Sequence, residues 1–294
     1  MTGVSKFSKV SLFSGINQIQ DISLHPRYAT ICGYTQHDLE TTFADHLAGV
    51  DWDKLKQWYN GYNFLGDAVY NPYDILQFID QGQRYQSYWF ASGSPSFLLK
   101  LFKQYRYFLP DLRNIEVGEE ILNSFEIDRI NPITLLYQTG YLTIDRVYEN
   151  AMEDQVYVLK LPNREVTTAL HFALIDPYTE LDNEKMTIKN HLYAAMSSGN
   201  LVELEKIITS LFASVPWRNF TASEIQSAKS ADYLPLYETE GYYASVLYAF
   251  FASMNAVIIP EDISNKGQTD MTIILGDHIY VMEVKLDKTK SYRK

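Results

Sequence analysis

Apolar residues at helical spacing first appear behind Thr35, where Leu39, Phe43 and Leu47 recur every four residues. Thr35 and Asp38 form a capping-box variant ahead of them, so a helix is expected to start there. Residues 51–59 read as a second helix ended by Asn60-Gly61. Pro72 opens a third helix over residues 72–79, and Ser94-Pro95 repeats that start signal ahead of Phe97, Leu98, Leu99 and Leu101. Residues 131–140 form a short helix stopped by Gly140. Two β-type runs, 141–148 and 156–161, follow it on either side of a polar turn at 150–154. A helix followed by a long hairpin suggests a winged-helix-like module. Such modules bind DNA or proteins, and without a dense basic cluster on the helix, protein packing is favoured. Residues 163–175, with Arg164 and His171, return as a helix. Residues 186–214 form a helical hairpin broken at Ser197-Ser198-Gly199-Asn200, with Leu201, Leu204, Ile207, Ile208 and Leu211 on one apolar face. Pro216-Trp217 ends it, and Thr221-Ala222-Ser223-Glu224 can cap another helix.

The pattern changes over residues 240–285, which read helix, strand, turn, strand, turn, strand. Glu240 begins the helix, and a β-type run follows at 256–259. Residues 264–267 are turn-prone, Asp270 opens the strand 270–275, and Gly276-Asp277 makes a tight hairpin turn. The last strand, 278–285, alternates. Glu283 and Lys285 therefore share a face with Ile279 and Val281, while Tyr280, Met282 and Val284 take the other. Charges on an apolar strand face are costly unless paired or bound to a cation. Mg²⁺ takes hard oxygen ligands from one or two carboxylates and keeps waters for substrate, which suits Asp270 and Glu283 on adjacent strands. A plain Glu283/Lys285 surface pair on an edge strand is the alternative.

Composition narrows the classes. The 294 residues, 46% hydrophobic and 21% charged, suit a soluble globular protein of two domains. No apolar run reaches the length of a membrane span, and the polar start is not a signal peptide, so a cytoplasmic protein is expected. The single cysteine, Cys32, excludes an intramolecular disulfide framework and a cysteine-based zinc site. His25, His37, His46, His171, His191 and His278 show no metal-ligand spacing. A net charge of −11 argues against nonspecific coating of nucleic acid. Yet Lys285, Lys288, Lys290, Arg293 and Lys294 stand against Asp287 alone in the last ten residues. That tail either faces DNA or solubilises the end. The 23 tyrosines, scattered along the chain, read as core and interface rim.

Glu240, Gly267-Gln268-Thr269-Asp270 and Glu283-Val284-Lys285 together resemble the PD-(D/E)xK nuclease superfamily. The wording around them is similar to the nuclease domain that follows an AAA-ATPase-like domain in many bacterial and archaeal proteins. Residues 2–15, Ile31-Cys32-Gly33-Tyr34, Trp58-Tyr59-Asn60-Gly61-Tyr62-Asn63, Tyr70-Asn71-Pro72-Tyr73 and Tyr88-Trp89-Phe90-Ala91-Ser92-Gly93 resemble the later half of that ATPase-like domain. The likeness implies an α+β chain. Residues 1–214 would be the later, mostly helical part of the ATPase-like domain, a lid with a wing-like hairpin, with residues 10–13 a strand near the γ-phosphate sensor. Residues 215–294 would be a restriction-endonuclease-like α/β domain, C-terminally incomplete.

The resemblance further implies that Asp270 and Glu283, helped by the Val284 carbonyl, ligate Mg²⁺, with Mn²⁺ as substitute. Lys285 would orient or deprotonate the attacking water, Glu240 would complete the acidic cluster, and DNA would be the substrate. No GxxxxGK[ST] occurs, so the chain reads as a fragment that does not bind ATP; ATP would belong to a full-length relative. Gln268 stands where the family usually has an arginine. The nuclease core would continue with a helix and a strand past the nine residues that follow Lys285. The competing reading, from another class, is a non-catalytic regulatory module that docks on a partner protein or on another copy of itself.

Overall fold

The computed structural model describes residues 22–93, 95–105, 107–113, 115–123, 131–179, 181, 183–214, 240–264 and 267–285. The expected strand at 10–13, the cap at Thr221, the Pro216-Trp217 stop and the basic tail beyond Lys285 lie outside these residues. The chain divides into two compact units, Met1–Leu101 with Asp111–Leu170, and Phe102–Pro110 with His171–Lys294. A boundary at 214/215 follows the change of motif and is a different division from this one.

In the first unit the start signals produce the expected helices. Thr35 and Asp38 exchange both capping bonds ahead of α1 (Gln36–Thr41), which ends before Phe43 because residues 42–49 form successive turns. Asp51 caps α2 (Trp52–Tyr59), and Asn71 caps α3 (Pro72–Asp80) with proline in its first turn. Leu39, Leu47, Leu55, Tyr59, Tyr70, Ile75, Phe78 and Tyr88 close into one core. The tyrosines there pack as hydrophobes with a polar tip: Tyr59 lies nearly parallel to Tyr85, and its hydroxyl donates to the Gln86 carbonyl at 2.9 Å. Helices α4 (Tyr88–Ser92) and α5 (Ser96–Tyr105) follow, α5 running past the unit boundary.

Further along this unit come the strand β1 (Ile115–Val117), α6 (Glu119–Asn123) and α7 (Pro132–Gln138), then the hairpin β2 (Thr143–Glu149) and β3 (Gln155–Lys160). The sheet is antiparallel in the order β1-β3-β2, with a register shift between Ile144 and Arg146. β1, Ile115-Glu116-Val117, is too short for its alternation to mark a strand, and it pairs with Tyr157, Val158 and Leu159. Asn163 then caps α8 (Arg164–Thr179), its side chain accepting the Val166 N–H at 3.0 Å.

The second unit contains the remainder of α8, the hairpin α9 (Lys185–Ser197) and α10 (Leu201–Ser214), then α11 (Glu240–Ser253) and the strands β4 (Val257–Ser264), β5 (Gly267–Leu275) and β6 (His278–Met282). Gly199, at φ +66°, makes the expected break between α9 and α10. Leu204, Ile207 and Leu211 are buried as their spacing requires, but Leu201 is 64% exposed because it opens the helix at the turn.

α11 is the hub of this unit. It is buried on every side from Ala244 to Ser253, as an apolar helix without a polar face must be. The Tyr242 hydroxyl donates to the Tyr178 carbonyl and the Tyr178 hydroxyl to the Tyr107 carbonyl, each at 2.6 Å. Leu109 N–H donates to Ser245 Oγ at 3.3 Å, Phe212 meets Tyr243 edge-on, and His171 meets Tyr248 edge-on. Thus the 102–110 segment, α8 and α10 each contribute to the wall around α11. The antiparallel sheet β4-β5-β6 adds Ile258, Met271, Ile273, Leu275 and Tyr280 to the buried set.

Candidate functional site

Two hairpin turns set the site. β4 and β5 pair from Ser264↔Gly267 to Val257↔Ile274, and β5 and β6 from Leu275↔His278 to Met271↔Met282. Gly276, at φ +58°, supplies the backbone that the two-residue turn needs. Asp270 immediately precedes, and Glu283 immediately follows, the last registered pair of the β5–β6 ladder. The three residues of Glu283-Val284-Lys285 therefore leave the sheet beside Asp270.

The final strand is shorter than its alternation predicts, ending at Met282 instead of Lys285. The backbone gives the reason. Val284 N–H donates to Asp270 Oδ2 at 2.5 Å, so this donor is satisfied by a carboxylate side chain and makes no ladder bond. The alternation itself holds through β6, but the face carrying Glu283 is the open one: Ile279 is 67% and Val281 64% exposed, whereas Tyr280 is buried. The expected cost of placing charges on a buried face is accordingly absent. Glu283 and Lys285 form an exposed ion pair, Oε1 to Nζ 2.9 Å, with side chains 55% and 74% exposed. Solvent screens such a pair, which contributes little to stability.

Lys285 lies within electrostatic reach of the other three anticipated residues. The Glu283 carboxylate, which accepts a hydrogen bond from Lys285, raises the pKa of the Lys285 amine, and Glu240 and Asp270 add to the rise by their charge. Glu240 reaches this neighbourhood as the first residue of α11, and Asp270 as the strand residue opposite the end of β6. The donor set is hard and anionic, the chemistry that Mg²⁺ or Mn²⁺ prefers. Among the described residues, however, no group of three or more His, Cys, Asp or Glu side chains is placed to hold a metal ion. Glu283 Oε1 is engaged by Lys285 and Asp270 Oδ2 by the Val284 N–H.

Sequence reasoning missed what anchors this hairpin. The Tyr280 hydroxyl donates to the Met196 carbonyl at the end of α9, at 2.5 Å, and His278 stacks on Tyr280 while lying against Gly199. A Cβ on Gly199 would come 2.8 Å from His278 Nε2. The α9–α10 turn is thereby keyed into the strand that leads to Glu283 and Lys285. The signal available in the sequence was Gly199 at the break, which marks a turn but not what the turn touches.

Comparison with known proteins bears on this site. The family model described as the PD-(D/E)XK nuclease superfamily matches residues 238–294, a stretch that contains all four residues. A protein from Azotobacter chroococcum mcd 1, named only as an uncharacterized protein in the vnfD 5′ region, is 38% identical over 286 residues. That match covers 97% of this chain and 53% of the relative, so the chain spans about half the relative's length. No solved structure matches. No helix among the described residues is long and apolar enough to cross a membrane.

Proposed function

We propose that residues 215–294 form a metal-dependent phosphodiesterase domain acting on DNA, and that residues 1–214 are the later part of an ATPase-like domain to which it is attached, in a cytoplasmic protein. The observation that carries the reading is that Lys285, at the open end of the β5–β6 hairpin, lies within electrostatic reach of Glu240, Asp270 and Glu283, all inside the residues that match a nuclease superfamily. In this reading Asp270 and Glu283, with the Val284 carbonyl, hold Mg²⁺ or Mn²⁺. The bound ion lowers the pKa of water and offsets charge that develops on the phosphate. Glu240 adds a third carboxylate from the start of α11. Lys285, released from Glu283, orients the attacking water and, once neutral, accepts its proton. The exposed position of the hairpin suits a polymeric substrate that a closed pocket would exclude.

A second reading, a regulatory module that binds a partner protein or another copy of the chain, is favoured by the self-satisfied state of the carboxylates. Cleavage of supercoiled DNA by the full chain, with Mg²⁺ or Mn²⁺, separates the two. The nuclease reading expects nicking that falls about 100-fold or more in Asp270→Asn and Glu283→Gln, because stabilisation by the metal is worth several kcal/mol. Absence of cleavage by the wild-type chain, or equal cleavage by all three, supports the regulatory module instead.

A further inference from the structure

The first unit buries two carboxyl groups that the hydrolytic site does not use. Asp74 stands in the first turn of α3 and Glu165 in the first turn of α8, and both are fully buried. Acidic residues in a helix's first turn ordinarily face water and complement its dipole. These two instead converge on the start of a third helix. Asp74 Oδ1 accepts the Trp89 N–H at 2.9 Å, and Glu165 Oε1 accepts the Phe90 N–H at 3.1 Å. Trp89 and Phe90 are the second and third residues of α4, whose amides a capping side chain normally satisfies. Ser87, the residue at the cap position, makes no such bond. The cap is therefore supplied from α3 and α8.

That leaves one oxygen on each group. Asp74 Oδ2 and Glu165 Oε2 are both buried and accept no hydrogen bond from another group, while the two carboxyl groups lie within hydrogen-bonding reach of each other. Two carboxylates so placed would repel, each with a lone pair facing no donor. The surroundings offer little relief. The titratable groups that feel the pair are the hydroxyls of Tyr59 on α2, Tyr62 after it and Tyr88 on α4. The neighbouring cation, Arg164, has its guanidinium over the Trp58 ring, 5.0 Å from the centroid, and its Nε is buried without a partner. One proton between the two oxygens satisfies both and removes half the charge.

We propose that Asp74 and Glu165 share one proton at neutral pH, and that this protonated pair is a latch holding the start of α4 to α3 and α8, which opens when the proton is lost. Burial raises both carboxyls, and the neighbouring Asp74 pushes Glu165 further above the ordinary glutamate value, so the buried pair keeps a proton that free carboxylates release. The sign follows. Above the ordinary carboxylate values the folded chain holds a proton that the unfolded chain has released, so stability declines as pH rises until the pair gives that proton up. The contribution is complete below the ordinary carboxylate values and gone once the pair has lost its proton.

Carbon-detected NMR of the side-chain carboxyls across pH 5 to 10, on the full chain, tests the latch directly. A Glu165 carboxyl that titrates above pH 7, with the Trp89 and Phe90 amide resonances moving at the same midpoint, supports it. A Glu165 carboxyl fully ionised at pH 6 overturns it. Glu165→Gln supplies a second reading, because the amide keeps an acceptor for Phe90 and gives Asp74 a permanent donor. Its unfolding free energy is expected to lose the wild-type decline between pH 6 and 9. An unchanged decline counts against the latch, and if the variant fails to fold the wild-type titration still decides.

Discussion

Replacing Gly61 with alanine is expected to destabilise the first unit by about 3 kcal/mol or more, enough to unfold a domain of marginal stability at physiological temperature. Gly61 follows α2 and its cap Asn60, with φ at +119°, a conformation that side chains rarely adopt. An added Cβ would also lie 1.9 Å from the Pro162 carbonyl oxygen and 2.9 Å from its carbon. Both are backbone atoms, so no rotamer change relieves the overlap. Pro162 precedes Asn163, the cap of α8, and displacing it would separate Trp58 from Arg164 and move Glu165 away from Asp74. Gly82→Ala is the matched control. It also has positive φ, at +67°, but opens onto empty space, and is expected to cost only about 1 kcal/mol. Urea denaturation of both variants checks the contrast, and coincident midpoints would refute it.

Phe250→Ala is expected to cost the second unit about 3–5 kcal/mol, the range for truncating a fully buried phenylalanine. Phe250 and Phe251 are both fully buried in a helix that has no solvent face toward which its surroundings could collapse. The cavity therefore stays open and adds its own penalty to the lost transfer energy. The loss should extend to the candidate site, since Glu240 begins this helix and β4 follows it after a short turn. A fall in the stability of the second unit, read by denaturation, should accompany weaker cation binding. A shift below about 1 kcal/mol would mean that α11 is not the hub its burial indicates.

Local signals read well from the sequence because their causes are local. The Thr35–Asp38 box, the Asp51 cap, Pro72 in the first turn of α3, the α9–α10 break at Gly199 and the Gly276-Asp277 turn all stand where their chemistry placed them. The hairpin was legible for the same reason, and the superfamily match spans it. Alternation along β6 defined two faces but could not say which was buried. That choice is made by Tyr280, whose partner Met196 lies 84 residues earlier in the chain. The strand's early end depended on a side chain 14 residues away, Asp270, accepting the Val284 N–H. β1 exists only through its pairing with β3. The Asp74–Glu165 pair was invisible because each residue, read alone, is an ordinary acidic group in a helix's first turn. Long-range partners, unlike caps and turns, leave no mark on neighbouring residues.

The claim at the centre of this account is that Asp270 and Glu283 can hold a divalent cation. Titration of Mn²⁺ into the full chain, followed by electron paramagnetic resonance, addresses it without any assumption about substrate. The account predicts saturable binding that weakens more than about tenfold in Asp270→Ala, the loss of a direct carboxylate ligand. Asp277→Ala, which removes an exposed carboxylate from the turn of the same hairpin, should leave it unchanged. Equal Mn²⁺ affinity in the wild-type chain and Asp270→Ala, or no binding by the wild-type chain, would contradict it.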